Sequence, residues 1–539
     1  MKIRILSIFI LGLSIFFSCN QQSTHKKNVF RYNESKGIST LDPAFAKSQT
    51  IIWPVSQIFN GLVQMDKQLC IAPCIAKEWA ISDSGKLYTF VLRKDVYFHN
   101  SDIFPNKTRR VTAADFIYSL KRLSDYATAS PGAWLMAYVD KSKADGGFEA
   151  LNDTTLKIYL SQSFPGFLGI LSMPYCSVVP KEVVEHYGKD FRNHPIGTGP
   201  FYLKAWREGE KLVLRRNKHY FEKATNGDSL PYLEAVNISF INDKQSEFLE
   251  FIKGNIDFIS GIHQSYKDEL LSRSGTLNPK YADRIAIIKA PYLNTEYLAF
   301  LVDSSNAIAL KNQNLRKAIN YGFDRKKMLK YLRNNIGVPA MQGFVPRGLP
   351  SFNTDAKGFV YNKDSALYFL KKAGYPNGKN LESITLSTTS DYVDLCEFIQ
   401  HQLSEIGIPI KINVSSGATF RDQVSTSKLP FFRASWIADY PDAENYLSLF
   451  YSKNFSPNGP NYTHFANKDY DNYYEKSLLE TQDSLRYKYY QKMDSILISE
   501  APIVPLFYDE LIRFYQKDIV NFSTNGMNML FLKNVKKQD

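Results

Sequence analysis

Cysteine is scarce, with five in 539 residues, one of them at position 19. The other four are too thinly spread for a disulfide framework. Cys70 and Cys74 are close enough in sequence to bridge in an oxidising compartment, but they read better as free buried thiols; no neighbouring histidine completes a metal set. The eight histidines contain no H-E-x-x-H pair. There is no G-x-S-x-G elbow either, so neither a metal nor a nucleophile motif points to catalysis, and the chain reads as a non-enzyme without cofactor or metal. Gly197-Thr198-Gly199-Pro200 superficially suggests a phosphate loop. No Lys-Ser/Thr follows it and Pro200 removes a donor, so it reads as a tight chain crossing instead.

Long apolar runs are absent too, apart from Ile5 to Phe17. That run follows Lys2 and Arg4, is too short to span a bilayer, and ends at Ser18-Cys19. A charged start, a short apolar stretch and a small residue before Cys make a lipoprotein signal peptide over 1–18. Cleavage before Cys19 then leaves a lipidated residue and a polar, flexible tether over 19–29. This places the protein in the cell envelope, on the periplasmic side, held to the membrane by lipid.

Charge of one sign is not concentrated anywhere. The net charge is +13, from 66 Lys and Arg against 53 Asp and Glu. Basic residues are mixed with acids, the densest groups (Arg215-Arg216, Lys536-Lys537) are short, and no nucleic-acid motif accompanies them, so a nucleic-acid partner is excluded. A composition of 44% hydrophobic and 22% charged residues is that of a soluble protein. The length exceeds one core and predicts two or three domains.

What is present centres on Phe431 to Tyr446, F-F-R-A-S-W-I-A-D-Y-P-D-A-E-N-Y. It begins as a strand of aromatic and β-branched residues and turns at Asp439-Tyr440-Pro441-Asp442. Arg433 and Asp439 are opposite charges in or just beyond an apolar segment, where an unpaired charge is expensive. Each either pairs within the protein or waits for a charge on a ligand, the carboxylate for an amine and the guanidinium for a carboxylate. Six positions apart on an extended strand, the two point to one face.

W-I-A-D-Y-P-D-A-E-N-Y resembles the W-x-A-D-Y-x-(D/E)-P-x-x-(F/Y) signature of solute-binding protein family 5, the oligopeptide- and dipeptide-binding receptors of bacterial ABC importers. Ala443 replaces the usual Pro. Further blocks resemble the family in order: T-L-D-P before a helix and G-L-V; S-G-K-L-Y-T-F-V-L-R-K-D-V-Y-F-H with V-T-A-A-D-F-I-Y-S-L-K-R-L; G-T-G-P-F-Y; R-N-x-x-Y-F; L-R-K-A-I-N-Y-G-F-D-R; and V-P-L-F-Y.

The resemblance implies an α/β, type II periplasmic-binding-protein fold, two lobes around a cleft with an additional inserted domain. Lobe I is expected from 30–50, 193–290 and 505–539, the inserted domain from 51–192, and lobe III from 291–504. Crossing strands are expected near Tyr292 to Leu301 and Val504 to Tyr508, and helices over Leu315–Arg325, Ser365–Ala373 and Val393–Ile406, the last two stopped by Gly374 and Gly407.

For function, the resemblance implies a monomeric receptor that captures a short peptide and delivers it to ABC transporter permease subunits. Asp439 would hold the peptide amine and Arg433 its carboxylate, while Trp436 lines a side-chain pocket. The alternative within the same fold is a non-peptide solute: a nickel chelate, haem or an oligosaccharide.

Overall fold

The computed structural model describes residues 28–263 and 265–538. The expected signal peptide, Cys19 and the tether up to residue 27 lie outside the described residues. Two long strands, Ile285–Phe300 and Ile503–Gln516, pair antiparallel along their length, from Ile285 opposite Gln516 to Ala299 opposite Ile503. Their register shifts between Pro291 and Thr295, where Pro291 has no N–H to give the ladder.

This ribbon joins the two halves of one mixed sheet. On one flank Ile285–Phe300 pairs with Phe431–Ile437, followed by Ile384–Thr388 and Ile410–Val414. On the other, Ile503–Gln516 leads through Phe258–Ser260, Val29–Asn33, Ala235–Ser239 and Lys211–Arg216 to the edge strand Phe201–Arg207. Separate hydrophobic cores lie under the two halves, one around Phe30, Val236 and Phe258, others around Leu298, Phe300 and Phe431 and around Phe344, Phe432 and Tyr446.

A second, four-stranded antiparallel sheet runs Ala76–Ser82, Leu87–Leu92, Thr155–Tyr159 and Phe148–Asn152. Its strand Leu87–Leu92 alternates between half-buried and buried positions, as the L-Y-T-F-V-L pattern requires. The helix Ala113–Ser124 beside it opens with a capping box in which Asp115 accepts from the Thr112 N–H at 2.8 Å. Arg109 fixes the same carboxylate at 2.7 Å.

Both glycines of Gly197-Thr198-Gly199 sit against the end of the helix Gln49–Ile58. A Cβ on Gly197 would lie 2.1 Å from the Ile58 carbonyl, and one on Gly199 would lie 2.5 Å from that of Gln57. The Gly199 N–H bonds Ile58 O at 2.7 Å, so the motif is a chain crossing and not an anion cradle.

Two elements differ from expectation. The expected helix Leu315–Arg325 is two, Gln313–Tyr321 and Arg325–Leu332, because Asp324 caps the second with bonds to the N–H groups of Lys326 and Lys327. The crossing strands are longer than their apolar stretches, since Lys289, Pro291 and Glu510 stay in the ladder and Asp509 lies within the strand at the register shift. The helices Lys363–Lys372 and Val393–Ser404 fall where expected, with Gly374 and Gly407 at positive φ behind them. Cys70 is exposed and Cys74 buried, both free.

Candidate functional site

The strand Phe431–Ile437 ends where the chain bends toward Pro441, and Asp439 occupies the bend. Three acids follow the strand closely, and their partners separate them. Asp442 accepts the Glu444 N–H at 2.8 Å and lies 3.6 Å from Arg486. Glu444 is buried and receives the hydroxyls of Tyr440 and Tyr474. Asp439 has only Asn445, whose amide donates to Oδ2 at 3.3 Å, and among the described residues no cation pairs with it.

Asn445 sets this loop. Its Oδ1 accepts from the Asp439 N–H and from Trp436 Nε1, each at 3.0 Å. The carboxylate is thereby held open to a cavity of about 400 Å³. Ile437, Ala438, Asp439 and Tyr292 form one part of the cavity wall. The rest comes from the other half of the molecule: Lys47 to Gln49 and Ile52 at the start of a helix, Met173 to Tyr175, and the segment Met527 to Lys533. Asp439 is exposed to this cavity, yet the protein around it raises its carboxyl above the ordinary aspartate range, with the Asn445 bond opposing.

Arg433 is placed differently. It lies opposite Leu298 in the ladder, so Glu296 is its diagonal neighbour on the same face. Its Nη2 donates to Glu296 Oε2 and its guanidinium stacks 3.2 Å from the centroid of Tyr392. Both charged residues are buried. The network continues through Asn294, which donates to Glu296 at 3.0 Å and to Asp509 at 3.3 Å, and ends at Arg333, 2.6 Å from Asp509. Burial raises the Glu296 carboxyl, while Arg433 pulls it down.

The three expected site residues therefore do not share one cavity. Asp439 lines it; Arg433 sits in its own ion pair on one face of the sheet; Trp436 lies opposite Thr295 on the other face, half-buried against the core around Phe344 and Tyr446. Three further residues belong to the arrangement. Glu296 carries the same signal that singled out Arg433, a charge inside an apolar strand. Asn445 lies inside the recognised motif. Lys47, in the cavity wall, has no comparable signal in its surroundings.

The model for bacterial extracellular solute-binding proteins, family 5 (middle region), matches residues 71–458. The chain belongs to this family. Its members are receptors, not catalysts, and act outside the cytoplasm. The family's periplasmic-binding-protein fold is the one described above, with the cavity at the junction of the two halves of the sheet. A dipeptide-binding protein, DppE of Bacillus subtilis, is 24% identical over 98% of this chain and 96% of its own. A glutathione-binding protein, GsiB of Escherichia coli, is 26% identical over 90% of each. Among solved structures, the periplasmic binding protein DppA of Helicobacter pylori, in complex with the peptide STSA, matches with a TM-score of 0.76 at 26% identity, covering 95% of this chain and 98% of that one.

Proposed function

We propose that this protein captures short, extended peptides by their free amino terminus and delivers them to the permease subunits of an ABC importer. The observation that carries this reading is Asp439, a carboxylate that pairs with no cation among the described residues, in the wall of a cavity between the two halves of the molecule. An ammonium group entering there gains a charge-assisted bond to an exposed carboxylate. The dipeptide- and glutathione-binding names of the relatives, and the peptide bound in the Helicobacter pylori protein, support a peptide as the solute.

Arg433 is the proposed anchor for the carboxylate of peptides long enough to reach it, and to serve it must exchange Glu296 for that carboxylate. Trp436 is the proposed wall of a side-chain pocket. Calorimetry of tri- and tetrapeptides tests the amine anchor. Asp439→Asn leaves the ligand ammonium unpaired and is expected to cost ~3–5 kcal/mol, two or more decades in affinity. Equal binding of free-amine and N-acetylated peptides overturns the reading and moves the solute to a non-peptide class.

Membrane attachment through lipid on Cys19 is part of the proposal, resting on the apolar run that ends at Ser18-Cys19. Cys19→Ala is expected to leave the membrane fraction. Continued processing before residue 19 and continued membrane fractionation of that variant count against the anchor.

A further inference from the structure

Of all the residues lining the Asp439 cavity, three are charged: Asp439, Lys47 and Lys533. Lys533 is already committed, since its ammonium donates to Glu222 and, at 2.9 Å, to Gln64 Oε1. Lys47 is exposed and makes no ion pair among the described residues. The acid nearest to it in sequence, Asp42, is also committed: Arg122 holds both of its oxygens, at 2.6 and 3.0 Å, and it caps the turn at Ala44 N–H at 3.0 Å. Among the described residues, the cavity therefore carries one unpaired carboxylate and one unpaired ammonium, contributed by different halves of the molecule.

Closing such a cavity over a ligand takes both charges out of water, and each then needs a counter-charge or a large desolvation cost remains. A ligand with an amine alone satisfies Asp439 and strands Lys47. A ligand that also carries a carboxylate satisfies both. Arg433, the proposed anchor for peptides long enough to reach it, lies outside the cavity lining and is held by Glu296 under the Tyr392 ring, so it does not answer for a carboxylate that stays within the cavity.

We infer that Lys47 is the specificity residue for the ligand's anionic group, so that the cavity selects zwitterionic or acidic peptides. The inference rests on the peptide reading above. The carboxylate comes either from the peptide's C-terminus or from an acidic side chain, and the two sources share the same chemistry at Lys47. The segment that presents Lys47 is ordered for this: its N–H donates to Phe45 O at 2.7 Å, and the helix Gln49–Ile58 starts immediately after it.

The test is isothermal titration of the full chain and its Lys47→Met and Lys47→Glu variants with Ala-Ala-Ala, Ala-Ala-Ala amide, Ala-Glu-Ala amide and Ala-Lys-Ala amide. Lys47→Met is expected to weaken a carboxylate-bearing peptide roughly tenfold and not to weaken Ala-Ala-Ala amide, which carries its ammonium but no carboxylate. A loss confined to Ala-Ala-Ala assigns the C-terminal carboxylate; a loss confined to Ala-Glu-Ala amide assigns the side chain. Lys47→Glu is expected to turn the preference toward Ala-Lys-Ala amide, a gain that a damaged fold cannot give. Equal weakening of all four peptides, or of none, overturns the role of Lys47. Asp439→Asn run in parallel separates the two ideas. If it loses every peptide while the Lys47 variants keep them all, this inference alone fails. If the unaltered protein binds no peptide, the reading beneath it fails first.

Discussion

Arg433 and Asp439 stand six residues apart on one segment with opposite charges, and the fold treats them in opposite ways. Arg433 is inside the ladder, where a strand neighbour two positions along the partner reaches it, and Glu296 is that neighbour. Asp439 is past the last paired residue, in a bend where the ladder gives it no opposite residue, so among the described residues only the local amide of Asn445 reaches its carboxylate. A charge within a ladder meets its partner through register. A charge just beyond the ladder is left for something else, and here it faces a cavity.

The largest expected effect separates the two by stability. Glu296→Ala leaves the Arg433 guanidinium buried without its carboxylate and is expected to destabilise the protein by ~3–5 kcal/mol in urea unfolding. Asp439→Asn removes a carboxylate that the fold already disfavours, and its unfolding midpoint should stay level or rise. Pairing Glu296→Gln with Arg433→Met should restore part of the loss, since neither charge then remains alone. An Asp439→Asn variant destabilised as much as Glu296→Ala breaks the contrast and means that Asp439 serves the fold.

Much of the architecture was legible because local rules and tertiary packing agree. Phe431–Ile437 and Ile410–Val414 form strands at the positions their pattern marks. The Thr112–Asp115 capping box and the glycines 374 and 407 behind helices are backbone chemistry written in single residues. The crossing strands were legible only in part: Lys289, Pro291, Asp509 and Glu510 look like breaks along the chain, and their place in the ribbon depends on partners more than 170 positions away. The motif marked Asp439 as a charge, and among the described residues no cation pairs with it. The motif could not show that Arg433 has a partner, because Glu296 lies 137 positions away. Lys47 was illegible for the same reason, since nothing in its neighbourhood tells that the cavity wall passes there.

A second test extends the contrast to pH, by comparing Asp439 with Glu444. Burial lifts the Glu444 carboxyl from its ordinary 4.5 to about 7, although the Tyr440 and Tyr474 hydroxyls oppose the rise. A carboxyl whose folded pKa lies above its unfolded value binds more protons when folded. Its stabilising contribution is complete below pH 4.5 and is lost as pH rises through about 7. At ~1.4 kcal/mol per pH unit, the loss across this window is ~3 kcal/mol for this group. Thermal unfolding between pH 4.5 and 7.5 should therefore show Glu444→Gln losing less stability than the unaltered protein. Asp494, raised by burial in the same direction, leaves some slope behind. A variant whose slope matches the parent's shows that Glu444 is ionised in the fold, and that the acids after Trp436 are not divided as the hydrogen bonds divide them.

The smallest expected effect concerns Trp436, which touches the Asp439 side of the comparison through a single bond. Its Nε1–H donates to Asn445 Oδ1, which also accepts the Asp439 N–H, while the ring packs with the core around Phe344 and Tyr446. Trp436→Phe keeps an aromatic ring and removes that donor, leaving Asn445 Oδ1 with the Asp439 N–H as its remaining partner. The expected cost is about 1 kcal/mol in unfolding free energy, the net worth of one neutral hydrogen bond. Asn445 then holds the carboxylate less firmly, so peptide affinity should fall by a factor of roughly two to five. The measurement that discriminates is a panel differing only in the residue after the amino terminus. A loss concentrated on bulky side chains shows that Trp436 lines a ligand pocket directly. A uniform loss shows that it acts through Asn445, on the charge that Asp439 presents.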